Sequence, residues 1–215
     1  MINARKFKPH NDFIDLASFP HRIIQYLIES KEIEAEQIWK ILKYNEINCL
    51  DKPNLTVEEK KSLRWVNDTI QDDYRVFFKP LIGDGVSIAQ TQLRIFRQRT
   101  IPKTQQISTA VFYIQIITNE MSSMMEFPYD VYDESGDITS SLIYVEKTDI
   151  LENLILKLFN GKELNIGVGA LVFDKERERS NESRMDISNS KTFYGRTLVM
   201  SLDYSNAKRV GGCGD

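Results

Sequence analysis

The side chains able to do chemistry are few in this sequence. Two histidines, His10 and His21, and two cysteines, Cys49 and Cys213, are all that 215 residues provide. A zinc site draws on closely spaced ligand pairs of the C-x-x-C or H-x-x-x-H kind, and none occurs; no metal and no cofactor is expected. His21 follows Pro20 and reads as a surface residue of a first helical turn. Cys213 sits among glycines at the end of the chain, with nothing fixed nearby to lower its pKa. Gly83-Asp84-Gly85-Val86-Ser87 lacks the lysine of a phosphate-binding loop and reads as a turn; Gly167-Val168-Gly169 reads as close packing in a strand. There is no G-x-S-x-G nucleophile elbow. A metal-dependent nuclease needs convergent carboxylates, usually with a lysine near a strand end. The candidates are Asp130, Asp133, Glu134, Asp137, Glu146 and Lys147. Glu146 and Lys147 are adjacent, so on a strand they project to opposite faces, and the acidic stretch reads more simply as solvated. No enzymatic activity is expected.

Two clusters of opposite sign stand out instead. The basic one is Arg94, Arg97, Arg99 and Lys103. On an extended strand Arg97 and Arg99 share a face and Arg94 takes the other. Such a cluster either shields a strand end from aggregation or forms an interface to phosphates or to acids on a neighbouring subunit. The acidic one lies in residues 121–140, where Met124, Met125, Phe127 and Tyr129 stand beside Asp130, Asp133 and Glu134. This amphipathic mix suits a contact that orders on assembly. Head-to-tail packing of identical subunits would pair the clusters, and heterologous contacts of that kind close into rings.

The elements that position these clusters follow from periodicity. Residues 1–17 read as an N-terminal arm. Residues 18–70 read as helical: Ser18 caps a helix with Pro20 in its first turn, and Ile23, Ile24, Leu27 and Ile28 recur at helical spacing. A second helix follows with Ile33, Ile38, Ile41 and Leu42 apolar, Trp39 and Tyr44 widening the stripe. Thr56 to Glu59 is a capping-box sequence that opens a short helix through Trp65. Residues 71–205 read as a sheet-and-helix core. Arg75 to Phe78 is a short strand ended by Pro80. Thr91 to Arg99 and Ser108 to Thr118 read as an antiparallel pair with a long connection holding Pro102 and Lys103. The second of these is apolar on both faces, as a covered central strand would be. Asp149 is expected to cap the strongest helix, with Ile150, Leu151, Leu154, Ile155, Leu158 and Phe159 as one stripe and Gly161 just past its end. Strands over 167–173 and 193–203 complete the core. Residues 121–140 and 174–192 read as long loops, the latter highly charged, and 206–215 as a flexible tail. The fold class is therefore α+β, with a mostly antiparallel sheet and helices packed on it, in a single domain over 1–215.

Composition fits that reading. Of the chain, 41% is hydrophobic and 27% charged, as in an ordinary globular domain. The formal net charge of −3 is not that of a general nucleic-acid binder. Two cysteines make no disulfide framework. No apolar run follows the first basic residues and none approaches the length of a membrane helix, so a cytoplasmic protein with no membrane partner is expected.

Several segments together resemble a known family. They are Ile38 to Tyr44 (IWKILKY), Leu50 to Lys60 (LDKPNLTVEEK), Arg75 to Leu81 (RVFFKPL), Gln92 to Phe96 (QLRIF) and Phe193 to Met200 (FYGRTLVM). In this order they are similar to the neck and tail-terminator (head–tail connector) proteins of tailed bacteriophages. The strand, strand, helix, strand, strand order over 90–203 is similar to the tail-terminator core, with the helical first third and the 174–192 loop as elaborations. The resemblance implies a non-catalytic virion protein, assembled in the host cytoplasm into a ring, six-fold by expectation, at the neck or the top of the tail. Its partners would be further copies of itself, the tail tube or sheath, other neck proteins, and DNA passing without sequence-specific binding. Another tail-completion, adaptor or baseplate role, or a phage DNA-binding or DNA-processing role, is the alternative.

Overall fold

A computed structural model describes residues 12–66, 73–80, 90–104, 107–132, 138–164, 170–176, 184–186 and 193–205. The arm up to residue 11 with His10, the 206–215 tail with Cys213, and the glycine pairs at 83–85 and 167–169 lie outside them. The architecture is α+β with a mainly antiparallel sheet, as the periodicity predicts.

The first helix, α1 (Asp12–Glu29), starts earlier than Ser18 and carries Pro20 inside it. Proline lacks the N–H that would bond back one turn, yet the helix continues. The packing of Phe19, Ile23, Ile24, Leu27 and Ile28, all buried, holds it. The next helix, α2 (Ile33–Lys43), buries Ile38, Trp39, Ile41 and Leu42 as expected, but Ile33 at its start is 72% exposed. The Trp39 indole N–H donates to the Leu27 carbonyl of α1 at 2.8 Å, so this bulky ring is buried without an orphaned donor.

The short helix α3 (Val57–Ser62) realises the capping box. Glu59 N–H donates to Thr56 Oγ1 at 3.3 Å, and Thr56 N–H donates to Glu59 Oε2 at 2.8 Å. It stops before Trp65. Glu59 also accepts from Lys43 at 2.7 Å, and this bond, followed by those from Thr56, holds its carboxyl at about 2 instead of 4.5. A lowered carboxylate pKa adds stability that is present above pH 4.5 and lost as the pH falls toward about 2. Thr56→Ala is therefore expected to cost about 1 kcal/mol at neutral pH. It should also flatten the acid limb of stability; urea unfolding at neutral pH and pH 3 checks both.

The main sheet runs β1–β2–β3–β8–β6, with β7 also on β8. Its members are β1 (Val76–Phe77), β2 (Gln92–Pro102), β3 (Ile107–Asn119), β6 (Val172–Phe173), β7 (Arg184–Asp186) and β8 (Phe193–Ser205). β1 is parallel to β2 and every other pairing is antiparallel. β2 extends through Pro102, so its link to β3 is only 103–106 and not long. β3 lies between β2 and β8 and is buried along nearly its whole length, the covered central strand that its two apolar faces predict. Of the 167–173 segment only Val172–Phe173 is a described strand. The 174–192 segment is not loop throughout, because β7 within it pairs with β8.

The last helix, α4 (Lys147–Phe159), buries the full predicted stripe. Its N-cap is Glu146, not Asp149. Asp149 sits inside the first turn and, with Glu152, binds Arg196 of β8. Gly161 follows with φ +79°, a conformation that suits glycine. One core gathers α1, α2 and α4 on the face of the sheet carrying Leu93, Ile95, Ala110, Phe112, Ile114, Ile116, Leu198, Met200 and Leu202. On the other face a smaller cluster joins Trp65, Tyr74, Phe77 and Phe78.

Residues 121–140 depart most from expectation. Instead of a long loop, they hold a 3-10 turn (Glu120–Ser122) and most of a two-stranded antiparallel hairpin. Its strands are β4 (Met124–Tyr132) and β5 (Ile138–Glu146). Acidic residues depress strand propensity, but the alternating Met125, Phe127 and Tyr129 against Val145, Ile143 and Ser141 give the period of two that pairing needs.

Candidate functional site

The basic cluster is split by the fold. Arg94 is only 4% exposed. Its guanidinium lies 4.2 Å over the Phe77 ring and donates to Gln92 Oε1 at 2.9 Å and to the Pro80 carbonyl at 3.3 Å. Burial pushes its pKa down to about 10, and its Nε has no hydrogen-bond partner. Arg94 thus belongs to the second apolar cluster and not to an interface. Lys103 is exposed but bound within the chain, its ammonium 2.8 Å from Asp203 Oδ2. Burial alone would raise Asp203, yet its bonds from Lys103 and Thr109 keep it below its ordinary value.

Arg97 and Arg99 are exposed, but they do not share a face. The β2–β3 register shifts between them, so Arg97 stands opposite Phe112 and Arg99 opposite Val111. Those two are neighbours on β3, and neighbours on a strand point to opposite faces. A β-bulge at Gln98 therefore sends one arginine to each side of the sheet, which plain alternation could not foresee.

The hairpin carries the other cluster. At its base Met125 is fully buried, and Phe127 and Val145 pack on the core, so Met125 anchors the hairpin and is no contact residue. Farther along, β4 and β5 leave Met124 at 41%, Tyr129 at 53%, Leu142 at 64% and Tyr144 at 65% exposure. Asp130 is exposed and Pro128 with it, while Glu126 is half-buried and accepts from the Tyr144 hydroxyl at 3.3 Å. Asp133, Glu134 and Asp137 lie outside the described residues. Exposed apolar side chains clustered on a hairpin and rimmed by acids are the composition of a contact surface.

Arg97 and Arg99 stand opposite the middle of β3, whereas the hairpin follows that strand's last residue. Arg99 is opposite Val111, and the chain leaves β3 for the hairpin after Asn119, eight residues on. That is roughly 27 Å at ~3.4 Å per residue. The hairpin base is tied to the helical side, with Glu126 N–H donating to the Ile47 carbonyl at 2.8 Å.

Other polar groups are structural. Lys147, the first residue of α4, is fully buried; its ammonium donates to the carbonyls of Tyr44 at 3.2 Å and Asn45 at 3.0 Å. Arg75 is buried and donates to the Leu42 carbonyl and Gln90. Nothing in the sequence marks either as interior. His21 is exposed and stacks 4.1 Å from the Phe78 ring; partial burial and then Arg64 lower its pKa. Among the described residues no group of histidines, cysteines and carboxylates is placed to hold a metal ion. No helix there is long and apolar enough to cross a membrane.

The model of the YomW family matches residues 35–202, well over half of the chain. The chain belongs to the YomW family. This is a phage-derived family of the SPbeta type, and the chain is accordingly a phage-associated protein. No curated protein and no solved structure matches it significantly. The span matched by the YomW model runs from α2 into β8 and so contains both surfaces, the hairpin and the arginine end of β2.

Proposed function

We propose that this YomW-family chain is a non-catalytic virion structural protein. It is one subunit of a ring at the phage neck or the top of the tail, terminating the tail tube and joining tail to head around the DNA channel. The observation that carries this reading is the pair of separate, unlike surfaces on one chain, exposed arginines on β2 and an acidic, aromatic hairpin. The hairpin of one copy and the exposed arginines of the next form a head-to-tail contact when copies meet. Such a contact is heterologous, and it closes into a ring when the rotation per subunit divides a full turn. The resemblance to neck and tail-terminator proteins and the phage origin of the family support the location. A net charge of −3 suits a channel through which DNA slides without being held. Its partners are then its own copies and the adjoining tube and neck proteins, and it needs no cofactor.

The double variant Arg97→Glu/Arg99→Glu tests this. Both residues are exposed, so folding stability should stay within about 0.5 kcal/mol of the parent per site. Self-association should weaken by about 100-fold, because like charges now face each other. Undiminished assembly of this variant would overturn the head-to-tail contact.

A further inference from the structure

Among the described residues, two sheets present four edges, and three of them are taken or guarded. The outer edge of β8 is occupied by β6 and β7. The outer edge of β2 is paired with β1 only at Leu93 and Arg94; beyond these it is protected by the bulge and by exposed Arg97, Gln98 and Arg99. On β4, the Glu126 N–H that donates to Ile47 must point away from β5. Backbone groups two residues apart on a strand point the same way. The next outward position is therefore Pro128, which has no N–H to offer.

The outer edge of β5 has no such guard. The residues opposite Glu126, Pro128 and Asp130 are Tyr144, Leu142 and Ser140. In an antiparallel pair, directly opposite residues either both face each other or both turn away. The N–H and C=O groups of Ser140, Leu142 and Tyr144 thus face outward, with no backbone partner among the described residues. Ser141, Leu142, Ile143 and Tyr144 are all exposed. From Ile138 to Val145 the strand has no charge, no proline and no glycine. An edge of this kind is a template for another strand.

We infer that β5 of one copy adds to the charge-guarded outer edge of β2, over Phe96–Thr100, in the next copy. This deepens the ring reading and rests on it. Leu93 N–H donates to the Arg75 carbonyl on the β1 side. The parallel Phe77–Arg94 register brings the Ile95 N–H to the Phe77 carbonyl, so by the same alternation the first outward N–H beyond β1 is that of Arg97. The charges select the partner. Arg97 and Arg99 repel or leave unpaired any strand without compensating acid. Behind β5 stands β4, whose exposed Asp130 is opposite the small Ser140, one strand spacing (~4.8 Å) farther in. Because the bulge puts the two arginines on opposite faces, one of them shares the face of Asp130 whichever way β5 runs. β5 itself adds no charge to oppose them.

Hydrogen exchange on the full chain, dilute and assembled, reads the edge directly. Outward amides of Ser140, Leu142 and Tyr144, and that of Arg97, should slow by about 100-fold or more on assembly. A second test is Leu142→Pro, which removes one outward N–H and leaves the β4–β5 ladder intact. It should abolish assembly while the circular dichroism spectrum and melting temperature stay those of the parent. Protection at both edges supports the pairing. Protection of β5 alone would mean a two-fold β5–β5 pair, and assembly with neither edge protected would mean side-chain docking only; each overturns the inference and leaves self-assembly standing. A chain that stays monomeric at every concentration overturns the ring reading itself.

Discussion

Replacing Arg94 by glutamate is expected to cost about 5 kcal/mol and so unfold much of the protein, because it removes one partnered charge and buries an unpaired one. The side chain is enclosed by Phe77, Gln92 and the Pro80 carbonyl, and no carboxylate among the described residues shares its site. Arg94→Ala should cost about 3 kcal/mol, since it opens space over Phe77 and strands the acceptors on Gln92 and Pro80. Arg94→Met fills similar volume and avoids desolvating a charge. It should fall within about 1.5 kcal/mol of the parent, on either side. Urea unfolding with an unchanged denaturant slope checks the series. If Arg94→Glu is tolerated as well as Arg97→Glu, the assignment of Arg94 to the interior is wrong.

The second large effect is expected at Lys147. Its ammonium holds the carbonyls of Tyr44 and Asn45 just beyond α2, and its backbone N–H donates to the Ser123 carbonyl at 2.7 Å. One buried residue therefore fastens α4 to the end of α2 and to the foot of the hairpin. Lys147→Ala should cost about 3–4 kcal/mol, from two stranded carbonyls and the cavity left by the side chain. The pH dependence carries its own signature. Burial lowers the Lys147 pKa below 10.5. Between the lowered value and 10.5 the unfolded chain binds more protons than the folded one, so stability from this group rises with pH across that window. The neutral amine still has N–H groups for both carbonyls. Lys147→Met should remove this rise at alkaline pH along with about 3 kcal/mol at neutral pH; an unchanged alkaline limb would contradict the assignment.

The sequence made the regular parts of this fold legible where burial repeats with a period. The α4 stripe, the α2 stripe apart from Ile33, the capping box at Thr56 and the two-faced β3 are all read directly from spacing. Failures occur where one residue decides against its neighbours' pattern. Pro20 looks like a helix start, yet α1 runs through it because the flanking apolar residues have a core to fill. The acids of 126–137 look like solvated loop, yet the apolar residues among the first of them alternate, and Met124–Tyr132 pairs with Ile138–Glu146 as a hairpin. A bulge at Gln98 leaves no mark in the sequence, and it alone separates Arg97 from Arg99. Burial of Arg94 and Lys147 is equally silent, because a long cationic side chain is enclosed only when distant segments supply its acceptors. Of the expected contact residues, Met124, Tyr129, Asp130, Arg97 and Arg99 are exposed; Arg94 and Met125 are interior, and Lys103 is paired with Asp203.

The central claim is that this chain assembles head to tail with copies of itself. Sedimentation velocity of the purified protein over a wide concentration range tests it most directly, run beside the Arg97→Glu/Arg99→Glu variant. The expected result is a discrete species several times the 25.0 kDa subunit for the parent and a folded monomer for the variant. A parent that sediments as a monomer at every concentration, or a variant that assembles as the parent does, would contradict the account.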